Sequence, residues 1–280
     1  MNATSYDNLS WAEKHWSEMY EGRNEIVVTG MAAFVMHEVV YFARYLPFFI
    51  CDFIPAFQKY KLQPEKVNVS ADYWKCVRQV LFCHFCFELP MIFFFHPMGH
   101  LFGMKITEVP FPSWQTMAIQ ICVFFFFEDF WHYWAHRALH YGPLYKHIHK
   151  LHHDYSAPFG MAAEYAHPVE TMVLGLGTVA VPLIWLMITK DLHIITMFAW
   201  IVLRLFQAID AHSGYDFPWS LRQLLPFWAG SEHHDAHHQL FITNYSSSFR
   251  WWDYIFGTDI KYRNLRKRQA LAKAKAAKVN

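Results

Sequence analysis

The chain has 280 residues, of which 54% are hydrophobic, 19% aromatic and 17% charged. A soluble domain carries about 25% charged residues, so this composition points to a membrane, and an apolar fraction this high excludes disorder. Lys and Arg number 24 against 23 Asp and Glu, which excludes a nucleic-acid binder held by general basicity; the odd set Cys51, Cys76, Cys83, Cys86 and Cys122 excludes a secreted disulfide framework.

The polar segment 1–24 has no apolar core followed by a small-residue cleavage site, so no cleaved signal peptide is expected. Five apolar stretches follow in a domain spanning 25–260. A hydrocarbon core of about 30 Å takes roughly 20 helical residues, and continuous apolar runs in lipid read as helices because open strand edges would go unsatisfied. The first run, 25–50, contains His37, Glu38 and Arg44 and is interrupted by Pro47, so it is expected as either a re-entrant or a spanning segment. Runs 76–95 and 114–127 form one hairpin across a Pro/Gly-containing link. Runs 169–188 and 192–208 form a second, tight one, with only Thr189, Lys190 and Asp191 between them. The fold expected is an all-α integral membrane protein with about four transmembrane helices in two hairpins, the N-terminal apolar segment, and a cytosolic histidine-rich cap. The tail, 261–280, holds eight Lys and Arg and no acid, which places the C-terminus in the cytosol.

Histidine is the outlier, with 19 copies, most of them between His132 and His238. The third stretch ends with His132, His136 and His140 at i, i+4 and i+8, one face of a helix. Two HxxHH boxes follow, His149-Lys150-Leu151-His152-His153 and His234-Asp235-Ala236-His237-His238, the latter preceded by His233. On a helix, positions i+3 and i+4 flank i and can converge on a metal. Isolated His167 and His212 lie between the boxes. His96 and His100 have the same i, i+4 spacing at the opposite end of a helix and read as structural, whereas three boxes on one side of the membrane do not read as coincidence. Eight to ten imidazoles exceed what one ion uses and suit two. Imidazole accepts several metals, but a lipid substrate offers inert C–H bonds, and attacking those requires O2 and a redox metal. Glu128, Asp129, Asp210 and Asp235 stand close enough in sequence to histidines to accept an imidazole N–H. Arg204, inside an apolar run, should face protein.

The boxes HRALH (136–140), HKLHH (149–153) and HHDAHH (233–238), with EYAHP (164–168) and NYSSSFRWWDYIFGTD (244–259), resemble the membrane fatty acid hydroxylase/sterol desaturase superfamily. Two longer stretches, APFGMAAEYAHPVET (157–171) and RLFQAIDAHSGYDFPWS (204–220), are similar to its C-4 methylsterol oxidase (methylsterol monooxygenase) branch of fungal type. That resemblance covers roughly 27–259. It implies a non-haem di-iron oxidoreductase of the endoplasmic reticulum membrane. Such an enzyme uses O2 and NAD(P)H electrons, delivered through cytochrome b5 or its reductase, to take a sterol C-4 methyl through alcohol and aldehyde to carboxylate. It also implies association with other sterol C-4 demethylation enzymes. As iron ligands it implies His136, His140, His149, His152, His153, His234, His237 and His238, with His167 and His212; it moves His132 to the periphery and leaves His233 open. A second reading is another membrane di-iron hydroxylase or desaturase acting on a sterol or acyl chain. The reading from a different class is a histidine-rich metal transporter, which the position of the boxes outside the apolar runs argues against.

Overall fold

In the computed structural model, residues 7–276 are described; the first six residues of the N-terminal segment and the last four of the tail, Lys278 included, lie outside them. The described chain is helical, with isolated β-bridges in place of strands. Helix α1 (Trp11–Tyr20) opens with a capping box in which Ser10 Oγ accepts from Glu13 N–H and Glu13 Oε2 accepts from Ser10 N–H. Its Trp16 and Tyr20 dock on the body of the protein, and Trp16 Nε1 donates to the Ile106 carbonyl at 2.9 Å.

Helix α2 (Glu25–Cys51) starts at the Asn24 side chain, which accepts from Val27 N–H, and it runs without interruption through Pro47. The proline forfeits one backbone bond, which costs less than opening a whole turn to lipid. The first apolar run is therefore one continuous 27-residue helix, not a re-entrant break. Helix α3 (Ser70–Cys83) passes through a π-turn at His84–Glu88 into α4 (Leu89–Leu101). Helix α5 (Trp114–Leu139) is capped by Ser113. Helices α6 (Pro168–Thr189) and α7 (Ile194–Ala211) make the expected tight hairpin, with Lys190 in the left-handed conformation at φ 56°.

Among the described residues, four helices are long and apolar enough to cross a membrane: Glu25–Cys51, Ser70–Leu101, Pro168–Thr189 and Ile194–Ala211. The number matches the sequence reading, but the membership differs in that α2 is included and α5 is not. Gln115, Gln120, Glu128 and Asp129 dilute the apolar character of α5, and its last turns are given over to histidine. The apolar side chains these helices leave exposed, such as Val35 and Val39 on α2 and Leu176 and Ile184 on α6, suit a lipid surround.

One packed core, with Tyr41, Tyr45, Cys76, Val80, Tyr165 and Ile209, sits among α2, α3 and α7 beneath the histidine-rich segments. A second, with Trp16, Phe124, Leu186, Leu192 and Trp200, lies at the other end of α5, α6 and α7. Helix α5 packs closely on α6, where Trp131 Nε1 donates to the Val173 carbonyl at 2.9 Å and a Cβ at Gly177 would run into the Trp131 ring. The buried Arg204 of α7 pairs with Glu128 of α5 at 2.9 Å, which resolves its cost in an apolar run. Beyond α7 come α8 (Gly230–Leu240), α9 (Trp251–Ile255) and α10 (Ile260–Ala276), and Arg266 of α10 pairs with Glu232 of α8.

Candidate metal centre

Five local structures carry the histidines to one place. Helix α5 delivers His136 in its last turn and His140 as its C-cap. A π-turn over Tyr145–His149 delivers His149, and the 3-10 turn His152–Asp154 delivers His152 and His153. The HKLHH box is thus a π-turn running into a 3-10 turn, where the sequence reading had a regular helix. His212 caps α7, and α8 supplies His234, His237 and His238.

Each HxxHH box is split between two clusters. The i, i+4 pair His149 and His153 joins His136, His140 and His237, whereas the i, i+4 pair His234 and His238 joins His152 and His212. The middle histidine of each box crosses to the other cluster. Within the first group, Nε2 atoms approach at 3.1 Å (His136–His149), 3.1 Å (His149–His153), 3.3 Å (His140–His153), 3.2 Å (His153–His237) and 3.2 Å (His140–His237). Within the second, the separations are 3.2 Å (His152–His212), 2.9 Å (His212–His234) and 3.2 Å (His234–His238). The clusters adjoin, with the His153 and His238 rings 4.7 Å apart.

The opposite edges of these rings show why the arrangement fits cations. His136 Nδ1 faces the Tyr245 carbonyl, His237 Nδ1 that of Thr243, His152 Nδ1 that of Tyr165, His212 Nδ1 that of Ala208, and His238 Nδ1 that of Tyr155. A carbonyl only accepts, so each of these Nδ1 atoms carries the proton and each Nε2 presents a lone pair. His152 and His212 then point two lone pairs at each other across 3.2 Å, which is repulsive unless a cation stands between them. Ligands about 2.1 Å from one ion at octahedral right angles stand about 3.0 Å apart, the spacing found here. Burial holds His152 down at about 4, and burial with neighbouring imidazoles holds His212 and His140 down at about 3. His149, His153, His234, His237 and His238 are likewise depressed by burial first. All of these rings are neutral at pH 7, as metal ligation requires.

Nine of the ten sequence-selected ligands therefore come together. His167 does not: it caps α6, its Nδ1 accepting from Val169 N–H at 3.2 Å, apart from both clusters. His132 lies beside the first group, its ring 5.6 Å from His136 and its Nδ1 3.8 Å from Glu128. His233 faces away, with Nε2 2.9 Å from Asp253.

The four carboxylates expected to orient imidazoles do other work. Glu128 holds Arg204, Asp129 accepts the backbone N–H groups of Ser248 and Phe249, Asp210 holds Arg44, and Asp235 is bound by Gln63 and Gln239. Each is drawn to a nearer, stronger donor than a ring nitrogen. The carboxylate beside a ligand is Glu170, buried in the first turn of α6, its Oε1 2.8 Å from His149 Nδ1. Sequence reasoning passed over it, and its one signal was its place three residues after His167. Asp253 was missed too. It accepts from Tyr245 N–H, Ser246 N–H, Thr258 Oγ1 and His233, and so folds the 243–248 loop whose carbonyls hold His237 and His136. Burial pushes its carboxyl up, but His233, the Thr258 hydroxyl and the Ser246 N–H together outweigh that and hold it down at about 2.

The fatty acid hydroxylase family model matches residues 121–258, the segment that contains both clusters. The methylsterol monooxygenase erg25B of Aspergillus fumigatus is 56% identical over 263 residues, 94% of this chain and 88% of that protein. The C-4 methylsterol oxidase erg25 of Schizosaccharomyces pombe is 52% identical over 98% of this chain and 91% of its own length. A more distant relative, methylsterol monooxygenase 1 of Danio rerio, is 42% identical over 89% of this chain and 84% of its own. No solved structure gives a significant match.

Proposed function

The chain belongs to the methylsterol monooxygenase family of fatty acid hydroxylases, and from that premise we propose that it oxidises a C-4 methyl group of a 4,4-dimethyl or 4-methyl sterol. The observation that carries the reading is the pair of adjoining, buried, all-imidazole clusters at the end of a multi-pass helical bundle. His136, His140, His149, His153 and His237 would hold one ion, and His152, His212, His234 and His238 the other. Two bound iron ions would supply the activation of O2 that an unactivated C–H bond demands.

The chain's own residues prepare that chemistry. Backbone carbonyls at Tyr155, Tyr165, Ala208, Thr243 and Tyr245 fix ring orientation and tautomer, so no proton has to leave these imidazoles on metal binding. Glu170 Oε1, 2.8 Å from His149 Nδ1, stands where it can orient that ring. Burial of all nine rings but His140 below a tenth of full exposure keeps bulk water away from the metal-binding nitrogens. Each oxidation consumes one O2, two electrons and two protons; the first and third rounds release one water and the alcohol-to-aldehyde round releases two, so methyl to carboxylate takes three rounds. The chain carries no flavin- or haem-binding segment in its sequence, and cytochrome b5 or its reductase would deliver NAD(P)H electrons at the cytosolic face of the endoplasmic reticulum. Other enzymes of sterol C-4 demethylation would take the carboxylate onward.

The test is product analysis of iron-loaded protein reconstituted in lipid with cytochrome b5, its reductase, NADH and a 4,4-dimethyl sterol. The expected products are the 4-hydroxymethyl, 4-formyl and 4-carboxy sterols in succession. A new ring double bond, or oxidation of an acyl chain with the sterol untouched, would overturn the proposal in favour of another activity of the superfamily. Metal movement across vesicles without oxidation would mark a transporter.

A further inference from the structure

A third convergence of ligand-type side chains lies outside both histidine clusters. His37 from α2, His84 and Glu88 from the π-turn joining α3 to α4, and Glu164 from the 3-10 turn Gly160–Glu164 each bring one ligand atom within 4.8 Å of the others. Glu38 stands beside them, with Oε1 2.7 Å from His84 Nδ1 and 3.3 Å from His37 Nδ1. Both histidines are buried, His84 completely.

Two of the contacts are hydrogen bonds, His84 Nε2 with Glu164 Oε2 at 2.9 Å and His37 Nδ1 with Glu38 Oε1 at 3.3 Å, while others are close without that geometry. His37 Nε2 lies 3.4 Å from Glu164 Oε1 and 3.5 Å from Glu88 Oε2, and neither contact has hydrogen-bond geometry. His84 Nδ1 has no hydrogen-bond partner despite its 2.7 Å approach to Glu38, and Glu88 Oε1 is buried with none either. Two ligands about 2.0–2.2 Å from one tetrahedral ion stand about 3.3–3.6 Å apart, and the His37 contacts have that spacing. Charge points the same way. The ion pairs that reach Glu38, Glu88 and Glu164 among the described residues come from His37 and His84 alone, with no Lys or Arg. Three partly buried carboxylates gathered around two buried imidazoles make a donor set that suits a divalent cation.

The backbone supplies an independent indication. π-turns are rare and concentrate at functional sites. Of the two among the described residues, Tyr145–His149 delivers His149 to a histidine cluster, and His84–Glu88 delivers two side chains to this one.

We propose that His37, His84, Glu88 and Glu164 form a third metal site that binds one divalent first-row cation of the zinc type, with Glu38 supporting His37 and His84. Four protein ligands and no open position make it a closed, structural site. It ties α2 to the α3–α4 junction and to the turn preceding Tyr165, whose carbonyl receives His152. The site thereby braces the second histidine cluster without sharing a ligand with it.

The test equilibrates purified full-length protein with excess Zn2+, removes free metal by desalting and counts zinc per chain by elemental mass spectrometry. The wild type should retain about three ions. The double variant His84→Ala with Glu164→Gln should retain about two, and His152→Ala with His237→Ala should still hold the third. Two ions in the wild type would overturn the proposal and leave an imidazolium–carboxylate network in its place. A third ion that survives His84→Ala with Glu164→Gln would be adventitious and would overturn it equally. If that variant fails to fold, the wild-type count and the histidine-cluster variant decide. Failure here leaves sterol oxidation untouched, because the two readings share no ligand.

Discussion

Replacing Asp253 with asparagine tests how the loop behind the first histidine cluster is held. The carboxylate is fully buried and accepts four donors: Tyr245 N–H at 2.8 Å and Thr258 Oγ1 at 2.6 Å on Oδ1, and Ser246 N–H at 2.8 Å and His233 Nε2 at 2.9 Å on Oδ2. An amide keeps one acceptor oxygen and turns the other into a donor. In one orientation Tyr245 N–H is orphaned while the Thr258 hydroxyl can turn away; in the other, Ser246 N–H and His233 both face a donor. At least one backbone N–H is stranded either way, at about 1–3 kcal/mol. Asp253→Ala removes every acceptor and should cost about 3–5 kcal/mol, as for a broken buried ion pair. Thermal unfolding in detergent should therefore rank wild type above Asp253→Asn above Asp253→Ala. Metal should leave the His136/His237 cluster first, because the Thr243 and Tyr245 carbonyls belong to the loop that Asp253 folds. Unchanged unfolding and metal content in Asp253→Ala would refute this reasoning.

Other substitutions probe the rest of the site. His152→Ala or His237→Ala should abolish turnover in protein that still reaches the membrane, whereas His100→Ala, exposed at the far end of α4, should leave turnover near wild type; equal losses would mean the site is misplaced. Glu170→Ala should weaken metal retention by about 10–100-fold, read by chelator competition, with Glu170→Gln between it and wild type; unaltered retention in both would remove Glu170 from the account. The sequons at Asn68 and Asn244 should carry no glycan in cells, since Asn244 is fully buried with its amide donating to the His233 carbonyl; a mobility shift on deglycosylation that is lost in Asn244→Gln would contradict the topology.

What the sequence made legible was whatever residue type and spacing encode. The apolar runs mark the helices, the three residues Thr189 to Asp191 mark the hairpin, and the imidazole boxes mark the metal centre. The division of each HxxHH box between two clusters was not legible, because it depends on a π-turn at Tyr145–His149 that has no residue signature. Nor were the atoms that orient the rings, since five are backbone carbonyls and any residue has one. Acidic neighbours in sequence misled for a related reason: Glu128, Asp129, Asp210 and Asp235 lie near histidines along the chain, but folding brings Arg204, Arg44, glutamines and free N–H groups closer. His167 matched a family motif and serves as a helix cap. Pro47 looked like a break because a lost hydrogen bond is visible in sequence while the surrounding lipid is not.

The central claim is that the histidine clusters insert oxygen from O2 at a sterol C-4 methyl carbon. Its most direct test is a turnover under isotopically heavy O2, with the 4-hydroxymethyl product analysed by mass spectrometry. The account predicts one heavy oxygen on the carbon attached at C-4, in wild-type protein and not in His152→Ala. Product lacking the label, or labelled at any other carbon, would contradict it.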